Sequence, residues 1–170
     1  MDVVLGLGGN LGDPPSEFGS ACARLAQRHR VVTLSSLYRS RAIGPSQPDF
    51  FNQAVLLEVE HHPVEILEEC QEMEAIAGRD RVTEVRWGPR PLDIDLLLIR
   101  GVIHRGPRLE LPHPRLAERA FALVPAAEIV PDWIHPIVGR TLRELAYEAG
   151  ARALGAVWKV EKAKSRRVEE

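Results

Sequence analysis

The sequence predicts an α+β fold in which a core of order βαββαβ is followed by further helices and a short hairpin. Three observations predict it. Short apolar runs with strand-like alternation take turns with longer stretches of helical periodicity, in that order. Glycine and proline mark the boundaries between them. No internal repeat or linker divides the chain, and 170 residues suffice for one hydrophobic core. This order is typical of the ferredoxin-like arrangement.

Turn and cap residues define the first half of the core. The apolar run 3–8 ends in glycines, as a strand before a turn does, and Asp13 followed by Pro14 is a typical helix start. The predicted elements of this half are a strand at 3–8, a helix from 14 to 29, a strand at 31–38, a loop at 40–49 and a strand at 50–60.

The second half begins at Pro63, where apolar residues recur at helical spacings until the stop signal of Gly78. The predicted elements are a helix at 63–77, a mobile polar loop at 79–90, a strand at 92–99, a hairpin at 102–111, a helix at 115–128 that Pro125 can interrupt, a helix at 141–149 ended by Gly150, and a short strand within 151–160. We expect the strands at 3–8 and 92–99 to be neighbours near the centre of the sheet, in a single domain over 1–160. A charged tail at 161–170 is expected to be frayed.

Composition excludes several classes of protein. The net charge of −2 argues against a general nucleic-acid coat or a protein that binds membrane surfaces. No apolar run approaches the roughly 20 residues that span a bilayer, and the acidic N-terminus does not resemble a signal peptide. Cys22 and Cys70 are interpreted as reduced thiols. We therefore expect a cytoplasmic protein that acts without nucleic acid or membrane.

The basic residues are unevenly divided between arginine and lysine. Only three of the 22 are lysines, at 159, 162 and 164. A P-loop needs a lysine directly after its glycines, so that class of nucleotide enzyme is excluded. The glycines at 6, 8, 9 and 12 do not form G-x-G-x-x-G spacing either and indicate a tight turn. Any phosphate must be bound mainly by arginine, whose planar fork can hold two phosphate oxygens.

The most informative segment is the loop and strand at 86–99. Side chains alternate along a strand, so Asp93 and Asp95 share one face while Leu92, Ile94, Leu96 and Leu98 share the other. Two carboxylates about 7 Å apart by strand rise suit a hard cation such as Mg²⁺. Arginines immediately before the strand suit a phosphate. The segment predicts metal-assisted chemistry on a nucleotide.

Other polar and aromatic residues admit two interpretations each. Phe50 and Asn52 share a strand face and could stack on and read the edge of a heterocycle, or simply pack. Trp87 in its polar loop is either a lid over a ligand or a packing anchor. His113 between two prolines is either a phosphate contact or part of a rigid turn. The arginines between 79 and 119 favour a phosphate-binding cluster over a solvated surface.

Together these segments closely resemble the 6-hydroxymethyl-7,8-dihydropterin pyrophosphokinase family of folate biosynthesis. The most specific match is Arg-Trp-Gly-Pro-Arg-x-x-Asp-Ile-Asp-Leu-Leu, which begins at Arg86. The other matching segments are 7–13, 36–40 with 44–45, 47–55, and 111–114 with 119–121. The resemblance implies a ferredoxin-like monomer that uses two Mg²⁺ ions and moves a diphosphate from ATP to the hydroxymethyl oxygen of the pterin, releasing AMP.

The resemblance also implies roles for individual residues. The metal ligands are Asp93 and Asp95. The pterin contacts are Ser40, Ile43, Phe50, Asn52, Trp87 and Phe121. The ATP contacts are Gln71, Glu74, Arg79, Trp87, Arg90, Arg108, His113 and Arg119. The residues expected to serve the chemical step are Arg79, Arg90 and Asp95.

Two other functions remain open on the residues alone. Another two-metal nucleotide-transfer enzyme on the same fold would use the aspartate pair but would not need a pterin slot. A non-enzymatic RNA-binding module should carry exposed aromatic residues and a basic sheet face, where an aspartate pair would repel phosphate.

Overall fold

The structure is a computed structural model that describes residues 1–153 and 156–161. Its elements are β1 (Asp2–Gly9), α1 (Pro14–Leu25), β2 (Arg30–Leu34), β3 (Tyr38–Ser40), β4 (Phe50–Glu58), α2 (Pro63–Ile76), β5 (Asp93–Ile99), β6 (His104–Arg105), β7 (Glu110–Leu111), α3 (Ala120–Ile129), α4 (Leu142–Ala153) and β8 (Val157–Lys159). A single 3₁₀ turn at Leu116–Glu118 precedes α3. None of the described helices has the length and apolarity needed to cross a bilayer.

Six of the described strands form one antiparallel sheet in the order β5-β1-β4-β3-β8, with β2 also paired to β4, and β6 and β7 pair separately as a short hairpin. The mixed architecture confirms the predicted fold class, and β1 lies directly beside β5 as expected. The expected central position of β5 is wrong, because among the described strands of this sheet it pairs with β1 alone. Its outer edge instead accepts a hydrogen bond from the His113 amide to the Leu97 carbonyl at 2.7 Å.

Two helical layers cover the two faces of the sheet. Helices α1 and α2 pack on the face that presents Leu5, Val55 and Ile94. Helices α3 and α4 pack on the other face, against Val4 and Leu97 among others. Burying an apolar stripe of each helix against one sheet face is what stabilises such a layered fold. The α3/α4 face matters for function because the candidate site opens on it.

One strand departs from simple alternation, and it corrects a prediction. Val4 lies opposite Leu98 but Leu5 lies opposite Leu96, so an extra residue is accommodated in β5 at this point. Such a bulge shifts the side chains beyond it to the other face. Leu98 therefore packs with Leu97 in the α3/α4 layer and does not share a face with Ile94, as the sequence predicted.

Some of the predicted helix boundaries agree with the structure and others differ from it. Asp13 caps α1 by accepting from the Ser16 amide at 3.3 Å, with Pro14 in the first turn, as predicted. Gly78, with φ of 93°, follows α2 as predicted. Other predicted boundaries differ. Helix α1 ends at Leu25, the helix predicted at 115–128 is a 3₁₀ turn followed by α3, and α4 continues through Gly150. The strand predicted at 31–38 is split into β2 and β3, and the last strand covers only 157–159. Residues 162–170 of the predicted frayed tail lie outside the described residues.

Candidate active site

A cavity of about 680 Å³ opens on the α3/α4 face of the sheet. Strands β1, β4 and β5 form its floor, and the loops around 41–43 and 87–90 and the start of α3 form its walls. Ten of the residues predicted for the site line it: Ser40, Ile43, Phe50, Asn52, Trp87, Arg90, Asp93, Asp95, Arg119 and Phe121.

Glycines in β1 keep the cavity floor open. Gly8 lies opposite Asn52 on β4 and opposite Asp93 on β5. Gly6 lies in the same way opposite Asp95. A side chain at Gly6 would begin only 3.1 Å from Leu97 Cδ1. The carboxylates and the Asn52 amide therefore project from strands two apart, about 10 Å from one another in the backbone, with no side chain between them.

The two aspartates have different electrostatic surroundings. Asp93 accepts a hydrogen bond from Arg79 at 2.5 Å and lies 3.5 Å from Arg90. Asp95 has a more distant cation, Arg119, at 3.6 Å. Burial and the negative charge of Asp93 raise the pKa of Asp95 to about 7, although the Arg119 guanidinium opposes that rise. An additional positive charge at this place would stabilise the ionised pair.

The arginines of the 79–90 loop are joined by a carboxylate that the sequence analysis did not single out. Glu84 accepts two hydrogen bonds from Arg79, from Nε and Nη2, each at 3.1 Å. Its Oε1 also lies 3.2 Å from Nε of Arg90. Glu84 thus occupies both guanidinium groups predicted to bind phosphate. The sequence signal that could have identified Glu84 is its position in the loop between Arg81 and Arg86.

Glu74 lies beneath the site and not on the cavity wall. Its side chain is 2% exposed and accepts hydrogen bonds from the Ile94 amide at 2.7 Å and from Arg79 at 2.8 Å. Arg81 also contacts it. Burial raises the pKa of Glu74, although these donors oppose that rise. Glu74 thus holds both the start of β5 and the Arg79 side chain in place. Because Arg79 also binds Asp93, Glu74 helps to position Asp93 indirectly.

The other predicted ATP contacts off the cavity wall are Gln71, Arg79, Arg108 and His113. Arg79 lies behind the cavity wall and donates a hydrogen bond to Asp93, which lines it. Gln71 is exposed on α2. Arg108 donates to Glu68 at 2.8 Å. Burial and the nearby charge of Arg119 lower the pKa of His113 to about 4, so its ring is neutral, and Nδ1 accepts from the Arg115 amide at 3.2 Å. As ATP contacts, these residues stay predictions.

The end of the cavity beyond Asn52 is aromatic and hydrogen-bonded. Asn52 donates from Nδ2 to Ser40 Oγ at 2.8 Å, and both residues are buried. Phe50 and Phe121 flank this end, and the Arg119 guanidinium lies over the Phe121 ring at 5.6 Å. Ile43 is 68% exposed at the rim. Aromatic rings beside a buried amide suit a flat heterocycle that has a polar edge.

Trp87 joins two loops at the cavity mouth. Its φ of 59° lies in the left-handed region, which bulky residues rarely adopt. Residues in such strained conformations cluster at functional sites. Its carbonyl accepts from Gln47 Nε2 at 2.7 Å, and its Cβ lies 3.1 Å from where a side chain on Gly44 would begin. Trp87 is half exposed. In this arrangement it contacts the 41–49 loop beside the cavity.

Asn10 holds the same two loops together, and the sequence analysis did not assign it a role. It is buried and donates from Nδ2 to Gln47 and to the Pro48 carbonyl, each at 2.9 Å. Its Oδ1 accepts from the Arg90 amide at 2.9 Å. The sequence signal that could have identified Asn10 is its position directly after a buried strand that ends in glycine. Gly9 before it is required by space, since a Cβ there would lie 2.4 Å from the Pro91 carbonyl oxygen.

The chain is similar in sequence to proteins of one family. Residues 4–131 match the family described as 7,8-dihydro-6-hydroxymethylpterin-pyrophosphokinase. The chain is 42% identical over 160 residues to the 2-amino-4-hydroxy-6-hydroxymethyldihydropteridine pyrophosphokinase of Synechocystis, which covers 93% of this chain and 80% of the relative. It is 46% identical over 145 residues to the protein of the same name in Methylorubrum extorquens, covering 84% of this chain and 89% of the relative.

Solved structures show the same fold. A Plasmodium falciparum HPPK-DHPS triple mutant with SDX-DHP aligns with a TM-score of 0.72 and 13% identity, over 97% of this chain and 48% of that chain. A second HPPK-DHPS structure, with pterin and p-hydrobenzoate, aligns with a TM-score of 0.64 and 13% identity, over 89% of this chain and 44% of that chain. The chain spans less than half the length of these structures, and at such identity the likeness concerns the fold alone.

Proposed function

This chain belongs to the 7,8-dihydro-6-hydroxymethylpterin-pyrophosphokinase family, and from that premise we propose how its residues divide the work of the reaction. The enzyme transfers a diphosphate group from ATP to hydroxymethyldihydropterin in folate biosynthesis. The hydroxymethyl oxygen forms the new bond to the β-phosphorus, the bond between the α- and β-phosphates breaks, and AMP leaves. The task of the protein is to position the two substrates and to balance negative charge.

Asp93 and Asp95 would hold two Mg²⁺ ions. The donor set fits, because it offers carboxylate oxygens on one face of a rigid strand, and because the raised pKa of Asp95 marks a place that lacks positive charge. When bound, the two ions neutralise phosphate oxygens and favour ionisation of the attacking hydroxyl. In this proposal Asp95 serves the chemical step because its carboxylate lies farther from the arginines than that of Asp93 does.

Arg79 and Arg90 would bind the phosphates and act mainly in the chemical step. Both already lie against Asp93 and Glu84, so their guanidinium groups converge beside the metal ligands. Phosphate oxygens can take the place of the Glu84 carboxylate, since arginine binds both in the same forked geometry. Arg119, on the other side of Asp95, would bind a further phosphate oxygen.

Asn52 and the two phenylalanines would bind the pterin. Because Asn52 Nδ2 donates to Ser40 Oγ, the amide is held in one orientation, with Oδ1 able to accept from the amino and ring N–H groups of the pterin edge. Phe50 and Phe121 would stack on the ring system, and Ile43 would close the rim. Trp87 would cover both substrates when its loop moves inward, and exclusion of water would then protect ATP from hydrolysis.

The observation that carries this proposal is the common floor of the cavity, on which Gly8 separates Asn52 from Asp93. Its test is to mix the protein with ATP, Mg²⁺ and hydroxymethyldihydropterin and to measure AMP. AMP should appear only when the pterin is present. Release of AMP at the same rate without pterin would favour the alternative two-metal nucleotide enzyme and overturn the assignment of the pterin slot.

We also propose that the protein acts as a cytoplasmic monomer with one domain over 1–160. All six proposed pterin contacts line one cavity that is formed within the chain, and both cysteines are free. The aspartate pair on the sheet face argues against the RNA-binding alternative, because it would repel a phosphate backbone. Light scattering at working concentration tests the monomer.

A further inference from the structure

Three potential metal ligands converge on the face of the sheet opposite the cavity. His29 follows α1, His61 lies in the connection between β4 and α2, and Glu69 lies on α2. One ligand atom from each lies within 4.8 Å of the other two. The side chains are 1%, 46% and 14% exposed, respectively. The cluster therefore has a buried inner ligand and an outer ligand that solvent can reach.

The two histidines are arranged around the two oxygens of one carboxylate. His29 Nε2 lies 2.7 Å from Glu69 Oε2, and His61 Nδ1 lies 3.2 Å from Glu69 Oε1. The imidazole rings are 5.1 Å apart and nearly perpendicular. The His29 backbone is fixed by a 2.8 Å hydrogen bond from its amide to the Leu25 carbonyl. The ligand atoms are thus held close together by three separate segments of the chain.

One cation outside the cluster competes for the Glu69 carboxylate. Arg28 is the competing cation, with Nη1 3.8 Å from Glu69 Oε1. Its side chain is 55% exposed and also reaches Glu72 at 3.7 Å, so it can give way without leaving a buried charge unpaired.

We propose that His29, His61 and Glu69 form a binding site for a divalent transition-metal cation, Zn²⁺ in particular, that ties the end of α1 to α2. Two imidazole nitrogens and one carboxylate oxygen match the ligands that Zn²⁺ takes, and a fourth position remains for water on the exposed side of His61. Mg²⁺ and Ca²⁺ prefer oxygen ligands, so this site differs in metal preference from the aspartate pair. A cation bound only by the folded chain would stabilise the fold.

The proposal is tested by calorimetric titration of ZnCl₂ into metal-free protein without a histidine tag. Excess Mg²⁺ is present to occupy the aspartate pair. We expect one equivalent of Zn²⁺ to bind. At about 100 times the dissociation constant, the Tm should rise by roughly 5–10 °C. His61→Ala removes the half-exposed ligand and should weaken binding by at least about 10-fold, the loss that even an outer partner of a ligand can cause.

Two further variants make the result specific. Glu69→Gln should also weaken Zn²⁺ binding, while His104→Ala, an imidazole outside the cluster, should bind Zn²⁺ as the wild type does. The rate of pterin-dependent AMP formation should be the same in His61→Ala and wild type, because the sheet separates this cluster from the cavity. Absence of saturable Zn²⁺ binding to the wild type, or binding that His61→Ala leaves unchanged, would overturn the proposal.

Discussion

The Arg79 guanidinium lies 2.5 Å from the Asp93 carboxylate, so an arginine proposed for phosphate is held by a carboxylate proposed for magnesium. Glu74 and Glu84 accept from the same guanidinium. Under the proposed function, Arg79, Glu84 and Asp93 exchange these partners for metal and nucleotide. The arrangement keeps the buried charges compensated before the substrates arrive.

Glu84 should compete with ATP for the two arginines. Glu84→Gln keeps the size of the side chain and removes its charge, so Arg79 and Arg90 should become freer to bind phosphate. We expect the affinity for Mg²⁺-ATP to rise by roughly 10-fold, since a hydrogen bond to a charged group contributes about 1.5 kcal/mol. Equilibrium binding of a non-hydrolysable ATP analogue measures it, with Glu72→Gln as the control. Weaker binding in Glu84→Gln would show that Glu84 orders the arginines and does not compete.

Arg90 should act on the rate and not on pterin binding. Its guanidinium lies 3.2 Å from the Glu84 carboxylate and 3.5 Å from the Asp93 carboxylate. We expect Arg90→Ala to lower kcat by about 100-fold or more, in line with other arginines that stabilise phosphoryl-transfer charge. The pterin dissociation constant should not change. Single-turnover kinetics and pterin fluorescence separate the two quantities, with the distant Arg143→Ala as the control. Weaker pterin binding at an unchanged rate would refute this role.

Asn52 should determine pterin affinity. Asn52→Ala removes the amide and leaves the polar edge of the pterin unpaired, so we expect the pterin dissociation constant to rise by about 10- to 100-fold, given 1–3 kcal/mol for an unsatisfied buried group. Ser40→Ala only frees the amide to rotate, and its effect should be smaller. ATP affinity serves as the internal control. Equal effects of both variants on ATP and pterin would indicate a general collapse of the cavity.

Much of the cavity floor could be predicted because it depends on local alternation. Asp93, Asp95 and Asn52 lie where period-two strands put them, before the bulge at Leu97. Leu98 lies beyond that bulge, and nothing local in an apolar run reveals an extra residue. Position in the sheet also depends on tertiary packing, which explains the wrong expectation for β5.

The partners of the charged groups could not be predicted for a related reason. Glu74 and Glu84 resemble other acidic residues of a helix and a loop, and although each is five residues from Arg79, only the path of the loop brings both to its guanidinium. The contacts of Asn10 with Gln47 and Arg90 join positions 37 and 80 residues away. Such contacts are properties of the folded chain and leave no periodic signal.

Asp95→Asn should separate activity from stability. We expect it to lower turnover by about 1,000-fold or more, because metal-assisted charge stabilisation is worth several kcal/mol. The fold should remain intact. Near-wild-type turnover at saturating Mg²⁺ would refute the role of Asp95 as a metal ligand. Asp132→Asn is the matched control, because this exposed carboxylate pairs with Arg143.

The same variant should be more stable than the wild type at alkaline pH without metal. Folding raises the pKa of Asp95 to about 7, whereas in the unfolded chain the carboxyl ionises near about 4. Ionisation of Asp95 therefore costs the fold stability as pH rises from about 4 to 7, and the loss is complete above 7. About a third of the side chain is exposed, so screening by water keeps this loss small.

At pH 8, we expect the Tm of Asp95→Asn to exceed that of the wild type by about 2–4 °C, or roughly 1 kcal/mol. The difference should shrink toward pH 4, and Mg²⁺ should raise the Tm of the wild type only. A variant that is less stable than the wild type at pH 8 without Mg²⁺ would mean that the Arg119 ion pair outweighs the burial of Asp95.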